Sequence, residues 1–171
     1  LTFLGLIPPF FFLIFLINRS YLLAFLMFFG LAFDSIDGAV ARMTNRVTPF
    51  GGFLDSSLDR IADFLLLSAF GFAGLVRFEI VCIVAFLSFL ISYLRSRAEL
   101  AAGGKISLAV GIIERSERIL FIMFALLAIW IFPDTIIFSA FNAAELVFIV
   151  LGLLSLITVI QRILAARERL K

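Results

Sequence analysis

The sequence predicts an all-α integral membrane protein with six transmembrane helices, and three observations carry that prediction. Of 171 residues, 64% are hydrophobic, where a soluble domain has about 45–50%, and the mean hydropathy is +1.22. A membrane span needs about 20 predominantly apolar residues at a rise of about 1.5 Å each, and six segments meet that requirement. Lastly, the charges fall on alternate sides of those segments. Twelve basic residues lie on one side, among them Arg42, Arg95, Arg118 and Arg162, and only Arg19 and Arg77 lie on the other. The excess of basic residues marks the cytoplasmic side.

The first segment is about Leu1–Ile17, with a kink expected at Pro8-Pro9, and Asn18-Arg19-Ser20 makes a turn. The second is about Tyr21–Met43, followed by a polar loop from Thr44 to Pro49. The third, about Phe50–Leu75, opens with Gly51-Gly52. The fourth is about Phe78–Leu100, and Ala101 to Lys105 is a Gly-rich connection. The fifth, about Ser107–Phe132, begins polar, becomes apolar from Ile119 and carries Trp130 as an interfacial anchor. Pro133-Asp134-Thr135 is a turn. The sixth is about Asn142–Ala166, and Arg167 to Lys171 reads as a solvated tail. The 23 Phe are read as lipid-facing and packing residues.

Composition excludes several chemistries. With no histidine in the chain, a His base, a His metal ligand and a Ser-His-Asp triad are ruled out. The single cysteine, Cys82, can form neither an intrachain disulfide nor a Cys-rich zinc site, and it reads as a small buried apolar residue. A net charge of +2 gives no nucleic-acid footprint. Leu1-Thr-Phe-Leu lacks a Met and a basic n-region, so it does not read as a signal peptide, and an upstream segment is expected. Residues 1–171 are expected to form one six-span domain. No internal repeat is found, which argues against the inverted repeats of many transporters.

The stretch Asp34 to Asp59 concentrates carboxylates where they are costly, and an intramembrane cluster of this kind points to function. Asp34 and Asp37 share one helix face, as do Asp55 and Asp59. Consecutive spans joined by a short loop are antiparallel neighbours, so the two faces can meet. Four carboxylates together need counter-charge, and oxygen-only ligands favour Mg²⁺, Mn²⁺ or Ca²⁺. Two such ions form a template for phosphoryl chemistry. Gly38, four residues after Asp34, and Gly51, four before Asp55, leave the helix surface bare beside a carboxylate. Arg42 can offer a planar fork to phosphate. The competing readings are an ion network at the membrane edge and a cation pathway. Arg60 and Asp63, three apart on the third span, read as a structural pair, with nucleotide contact the alternative for Arg60.

The pattern Asp-x-x-Asp-Gly-x-x-Ala-Arg-x8-Gly-x3-Asp-x3-Asp, carried by Asp34, Asp37, Gly38, Ala41, Arg42, Gly51, Asp55 and Asp59, resembles the signature of the CDP-alcohol phosphatidyltransferases. The resemblance implies transfer of a substituted phosphate from a CDP-linked lipid to an alcohol, with release of CMP. It further implies that Asp34, Asp37, Asp55 and Asp59 hold two Mg²⁺ or Mn²⁺ ions and that Asp59 is the general base. Gly38, Ala41, Arg42, Gly51 and Asp55 would bind the CDP moiety. The family also implies a homodimer.

A second constellation lies downstream: Ser92-Tyr-Leu-Arg95-Ser-Arg97-Ala-Glu99, then Glu114-Arg115-Ser-Glu117-Arg118, then Gln161-Arg162. Arginine clusters suit phosphate because the guanidinium fork is bidentate, and an acceptor alcohol that carries its own phosphate needs such a pocket. The competing reading is the bias that places basic residues at cytoplasmic helix ends. Glu99, Glu114 and Glu117 read as groups that orient the arginines. The constellation resembles the branch of the family that uses inositol 1-phosphate, the phosphatidylinositol-phosphate and archaetidylinositol-phosphate synthases. By that resemblance Ser92, Arg95, Arg97, Arg118 and Arg162 form the acceptor-phosphate pocket. Where that branch often has Lys, this chain has Arg95. The expectation is a multi-pass cell-membrane enzyme whose site faces the cytoplasm and whose donor is CDP-diacylglycerol or CDP-archaeol. Three alternatives remain open: glycerol 3-phosphate as acceptor, CDP-inositol as donor, and, from a different class, a cation transporter.

Overall fold

The structure, a computed structural model, describes residues 5–28, 30, 48–133, 136–138 and 141–170. It is predominantly helical and forms two compact units, Leu1–Phe78 and Glu79–Lys171.

In the first unit, α1 spans Ile7–Ile17 and carries its two prolines in the first turn. There a proline removes no helical hydrogen bond, and its fixed φ suits a helix start. Pro8 and Pro9 therefore begin the helix rather than kink it. Asn18 closes α1 by donating its side-chain amide to Ile14 O at 2.9 Å. Residues 21–28 are helical and are called α2. The third helix, α3, spans Pro49–Phe72. Thr48 caps it by accepting from Gly51 N at 3.0 Å, and Pro49 fills the first position. Gly74, at φ +65, ends it. Leu75 N–H bonds to Phe70 O at 2.9 Å and Gly74 N–H to Gly71 O at 3.0 Å, a Schellman closure that satisfies the last carbonyls. Fully buried Phe12 joins the three helices. Its ring meets Phe28 edge-on at 5.4 Å and Phe70 at 6.0 Å.

In the second unit, α4 spans Phe78–Ala101 and ends at Gly103 and Gly104, both with positive φ. The next helix, α5, spans Arg115–Ile131, and Glu114 and Glu117 form its capping box. A short antiparallel ladder follows, β1 (Ile136–Phe138) with β2 (Phe141–Asn142). The last helix, α6, spans Ala143–Arg169 and has a second capping box, Asn142 with Glu145. Gly152 of α6 lets Val84 of α4 approach closely: a Cβ there would lie 3.4 Å from Val84 Cγ2. The helices α5 and α6 also pack on each other.

The all-α reading stands, with one short two-stranded ladder around Ile136, where β-branched residues favour extended backbone. Besides the proline kink, three expectations change. The expected fifth span does not begin at Ser107, since residues 105–114 are non-helical and α5 starts at Arg115. The expected tail is partly helix, as α6 continues through Arg169. Cys82 is exposed rather than buried; it sits on α4 beside Ile83 and Phe86, which are 60% and 64% exposed.

Among the described residues, α4 and α6 are long and apolar enough to cross a membrane, with mean hydropathies of 2.0 and 2.6 over their best windows. The outward residues agree. Phe50, Phe53 and Phe64 in the first unit, and Phe89, Leu153 and Ile163 in the second, are each at least half exposed, as lipid-facing residues would be. The chain is a membrane protein.

Candidate functional site

In the first unit, α3 positions the second half of the acidic motif. The Thr48 cap fixes where the helix starts, and that register sets the rest. Gly51 lies in the first turn with its N–H held by Thr48 Oγ1, and a Cβ on it would come within 3.0 Å of that oxygen. One turn on, Asp55 is exposed, and a further turn brings Asp59, half-buried. The Asp59 Oδ2 lies 4.0 Å from Arg60 Nη2, and Asp63 is buried at 8% exposure. Asp34, Asp37, Gly38, Ala41 and Arg42 lie outside the described residues. Asp55 and Asp59 supply hard oxygen donors on successive turns, which fits Mg²⁺ or Mn²⁺ in donor chemistry. Among the described residues, which do not include Asp34 and Asp37, no group of three or more potential metal ligands gathers.

The second unit assembles the arginines around Arg162. Its side chain is 3% exposed and joins three segments. Nε donates to Val110 O at 2.8 Å, Nη1 to Ile91 O of α4 at 2.6 Å and Nη2 to Glu114 Oε1 at 3.4 Å. A guanidinium has five N–H donors, and these bonds engage three. Burying an isolated charge is costly unless it is paired and hydrogen-bonded; here two carbonyl dipoles and one carboxylate supply that compensation. Arg118 of α5 is also buried, at 3% exposure, and donates from Nη1 to Ser88 O of α4 at 3.3 Å. Ser88 and Ile91 lie three residues apart on α4, so Arg118 and Arg162 reach the same stretch of that helix. Arg95 lies one turn beyond Ile91 on α4.

Ser92, Arg95 and Arg97 all lie on α4. Arg95 Nε donates to Glu99 Oε1 at 3.0 Å. Ser92 Oγ donates to Ser88 O at 3.3 Å. Arg97 is exposed. Glu99 and Glu114 do orient arginines as expected. Glu117 also caps α5: its Oε2 accepts from Glu114 N at 2.8 Å.

Sequence reasoning missed the non-helical strap 105–114 and the side chains that fasten it. Glu99 Oε1 accepts from Leu108 N at 3.0 Å. Thr158 Oγ1 accepts from Ile112 N and Ile113 N at 3.2 and 3.1 Å. Arg169, assigned to a solvated tail, donates from Nη1 to Ser107 O at 2.6 Å. Thr158, a hydroxyl one turn before Arg162 in an apolar helix, was the available signal.

The sequence model of the CDP-alcohol phosphatidyltransferases matches residues 1–161. The chain belongs to that family. It is accordingly a transferase of phosphate-containing groups. The archaetidylinositol phosphate synthase of Pyrococcus horikoshii is 39% identical over 157 residues, covering 92% of this chain and 76% of the relative. The synthase of the same name from Methanothermobacter thermautotrophicus is 40% identical, covering 81% of this chain and 66% of the relative. The phosphatidylinositol phosphate synthase of Mycobacterium tuberculosis, in its crystal structure with CDP-DAG bound, superposes with a TM-score of 0.75 at 25% identity, over 96% of this chain and 81% of that one. The same enzyme in complex with manganese and citrate gives a TM-score of 0.76 at 25% identity, over 96% of this chain and 78% of that one.

Proposed function

We propose that this CDP-alcohol phosphatidyltransferase transfers the substituted phosphate of a CDP-linked lipid, CDP-diacylglycerol or CDP-archaeol, to the hydroxyl of inositol 1-phosphate and releases CMP. The observation that carries the acceptor is that buried Arg118 and Arg162 reach the same stretch of α4, with Arg95 one turn beyond it. A neutral alcohol gives no reason to hold three cations together against their mutual repulsion. An anionic acceptor relieves that repulsion when it binds. The names of the synthase relatives and of the CDP-DAG-bound structure support the same reading.

In this proposal Asp34, Asp37, Asp55 and Asp59 hold two Mg²⁺ or Mn²⁺ ions, a choice supported by the manganese-bound relative. Bound there, the ions supply Lewis-acid polarisation of the pyrophosphate and stabilise the charge on departing CMP. Asp59 takes the proton from the acceptor hydroxyl as its oxygen attacks phosphorus. Gly38, Ala41, Arg42, Gly51 and Asp55 bind the CDP moiety, and Ser92, Arg95, Arg97, Arg118 and Arg162 bind the acceptor phosphate. We further propose that residues 1–171 act as one six-span domain in a cell-membrane homodimer, with the site on the cytoplasmic side where the basic residues collect.

The test is CMP release from membranes carrying the protein, supplied with CDP-lipid, Mg²⁺ or Mn²⁺, and either inositol 1-phosphate or glycerol 3-phosphate. Release with inositol 1-phosphate is expected. Release with glycerol 3-phosphate alone refutes the acceptor, and cation flux without CMP refutes the reaction.

A further inference from the structure

The strap 105–114 crosses the second unit between α4 and α5, and it carries Glu114, the carboxylate that faces Arg162. Its path is set from α6. Thr158 and Arg162, four residues apart, lie on one face of α6 and grip the strap on either side of Gly111. Arg162 takes the carbonyl of Val110 on one side. Thr158 takes the amides of Ile112 and Ile113 on the other. The Thr158 hydroxyl is fully engaged, since it accepts these two N–H groups and donates its own proton to Leu154 O at 2.9 Å. The residue itself is 0% exposed.

Gly111 is matched to this grip in two ways. It sits at φ +134, a conformation that a side chain rarely adopts. A Cβ on it would also overlap Thr158 Cγ2. The strap can therefore lie against Thr158 only because residue 111 has no side chain. Immediately beyond the grip, Ile113 is buried at 1% exposure and Glu114 becomes the N-cap of α5. The same few residues thus fix where Glu114 meets the Arg162 guanidinium and where α5, with Arg118, begins.

We infer that Thr158, with Gly111 beneath it, is a positioning residue for the acceptor-phosphate arginines. It touches no substrate. It registers the strap, the strap places Glu114, and Glu114 with Val110 O holds the Arg162 guanidinium in one orientation. The inference rests on the acceptor reading above. It assigns an effect on acceptor recognition to a hydroxyl that has no contact with phosphate.

The experiment uses the full protein in membranes and measures steady-state CMP release, with KM determined separately for CDP-lipid and for whichever acceptor phosphate the wild type uses. Thr158→Val keeps shape and removes the acceptor oxygen. It is expected to raise the KM for the acceptor by roughly tenfold or more and to leave the KM for CDP-lipid within about twofold, the signature of lost binding at one subsite. Thr158→Ser keeps the oxygen and is expected to restore the acceptor KM. Gly111→Ala is expected to copy the Val variant. Equal effects on both KM values, or a loss confined to thermal stability, would overturn the inference. If the Val variant does not fold, Thr158→Ser and Thr158→Cys form the comparison. Cys is a weak acceptor of similar size, so an acceptor KM raised equally in both assigns the effect to the lost methyl and refutes the inference. A wild type that releases no CMP with either acceptor instead sinks the reaction reading, and this proposal falls with it.

Discussion

The acidic and arginine groups differ in how the chain builds them. The carboxylates of α3 come from one helix, and spacing alone places them. Asp55 is exposed and Asp59 half-buried, two turns of one face whose register is set by Thr48 and Pro49. The arginines come from three helices, and a strap fastens Arg162. Arg162 is buried and hydrogen-bonded to residues 71 and 52 positions away in sequence. A local motif needs only a helix to be correct. A distributed group needs a folded unit, and its members hold that unit together while serving it. Substitutions should therefore separate chemistry from architecture differently in the two regions.

The largest effect is expected at Asp59. Asp59→Asn keeps size and one oxygen but cannot accept the proton. Loss of a general base costs about 10²–10⁴ in rate, so turnover should fall by that order while CDP-lipid binding is largely retained. Equal loss of binding, read by equilibrium binding of labelled CDP-lipid, would make Asp59 mainly a metal ligand. Because the residue is half-buried on a helix surface, stability in detergent should hardly change, as expected of a locally built site.

Arg162→Met tests the opposite behaviour. The substitution keeps a long apolar stem and leaves Ile91 O, Val110 O and Glu114 without their donor. Glu114 is 42% exposed and can turn to water, so the cost falls on the two carbonyls at about 1–3 kcal/mol each; destabilisation of about 2–5 kcal/mol is expected in a denaturation titration, together with loss of acceptor use. If stability were unchanged and only the acceptor KM rose, the buried bonds of Arg162 would carry no architectural weight, and the contrast between the two regions would fail.

The same contrast explains what could be read from the sequence. The acidic motif was legible because it is short and periodic, and so were α4 and α6, whose apolar runs match their helices within a few residues. The strap was not. Ile106 to Ile113 is nearly all apolar and reads as the start of a span, since hydropathy does not register the positive φ of Gly111 or an amide acceptor waiting at Thr158, 46 residues away. Pro8 and Pro9 misled for a related reason: a proline kinks or starts a helix according to where the preceding turn lies, and composition does not locate that turn. Arg169 looked like a solvated end because its partner, Ser107 O, is a backbone atom with no sequence signal.

The smallest effect on stability, and the finest division of the arginine group, is expected at Arg97. Unlike Arg118 and Arg162, its side chain is exposed, and exposed substitutions away from structural features usually fall within about ±0.5 kcal/mol. Arg97→Gln should unfold at the same denaturant concentration as the wild type. If Arg97 meets the acceptor phosphate directly, the acceptor KM should nevertheless rise by about tenfold, the change expected for one lost charged hydrogen bond, and the donor KM should stay put. An unchanged acceptor KM would leave Arg97 as one of the basic residues that mark the cytoplasmic side. Recognition would then rest on the arginines that also hold the unit together, and acceptor specificity could not be altered in this region without remaking its core.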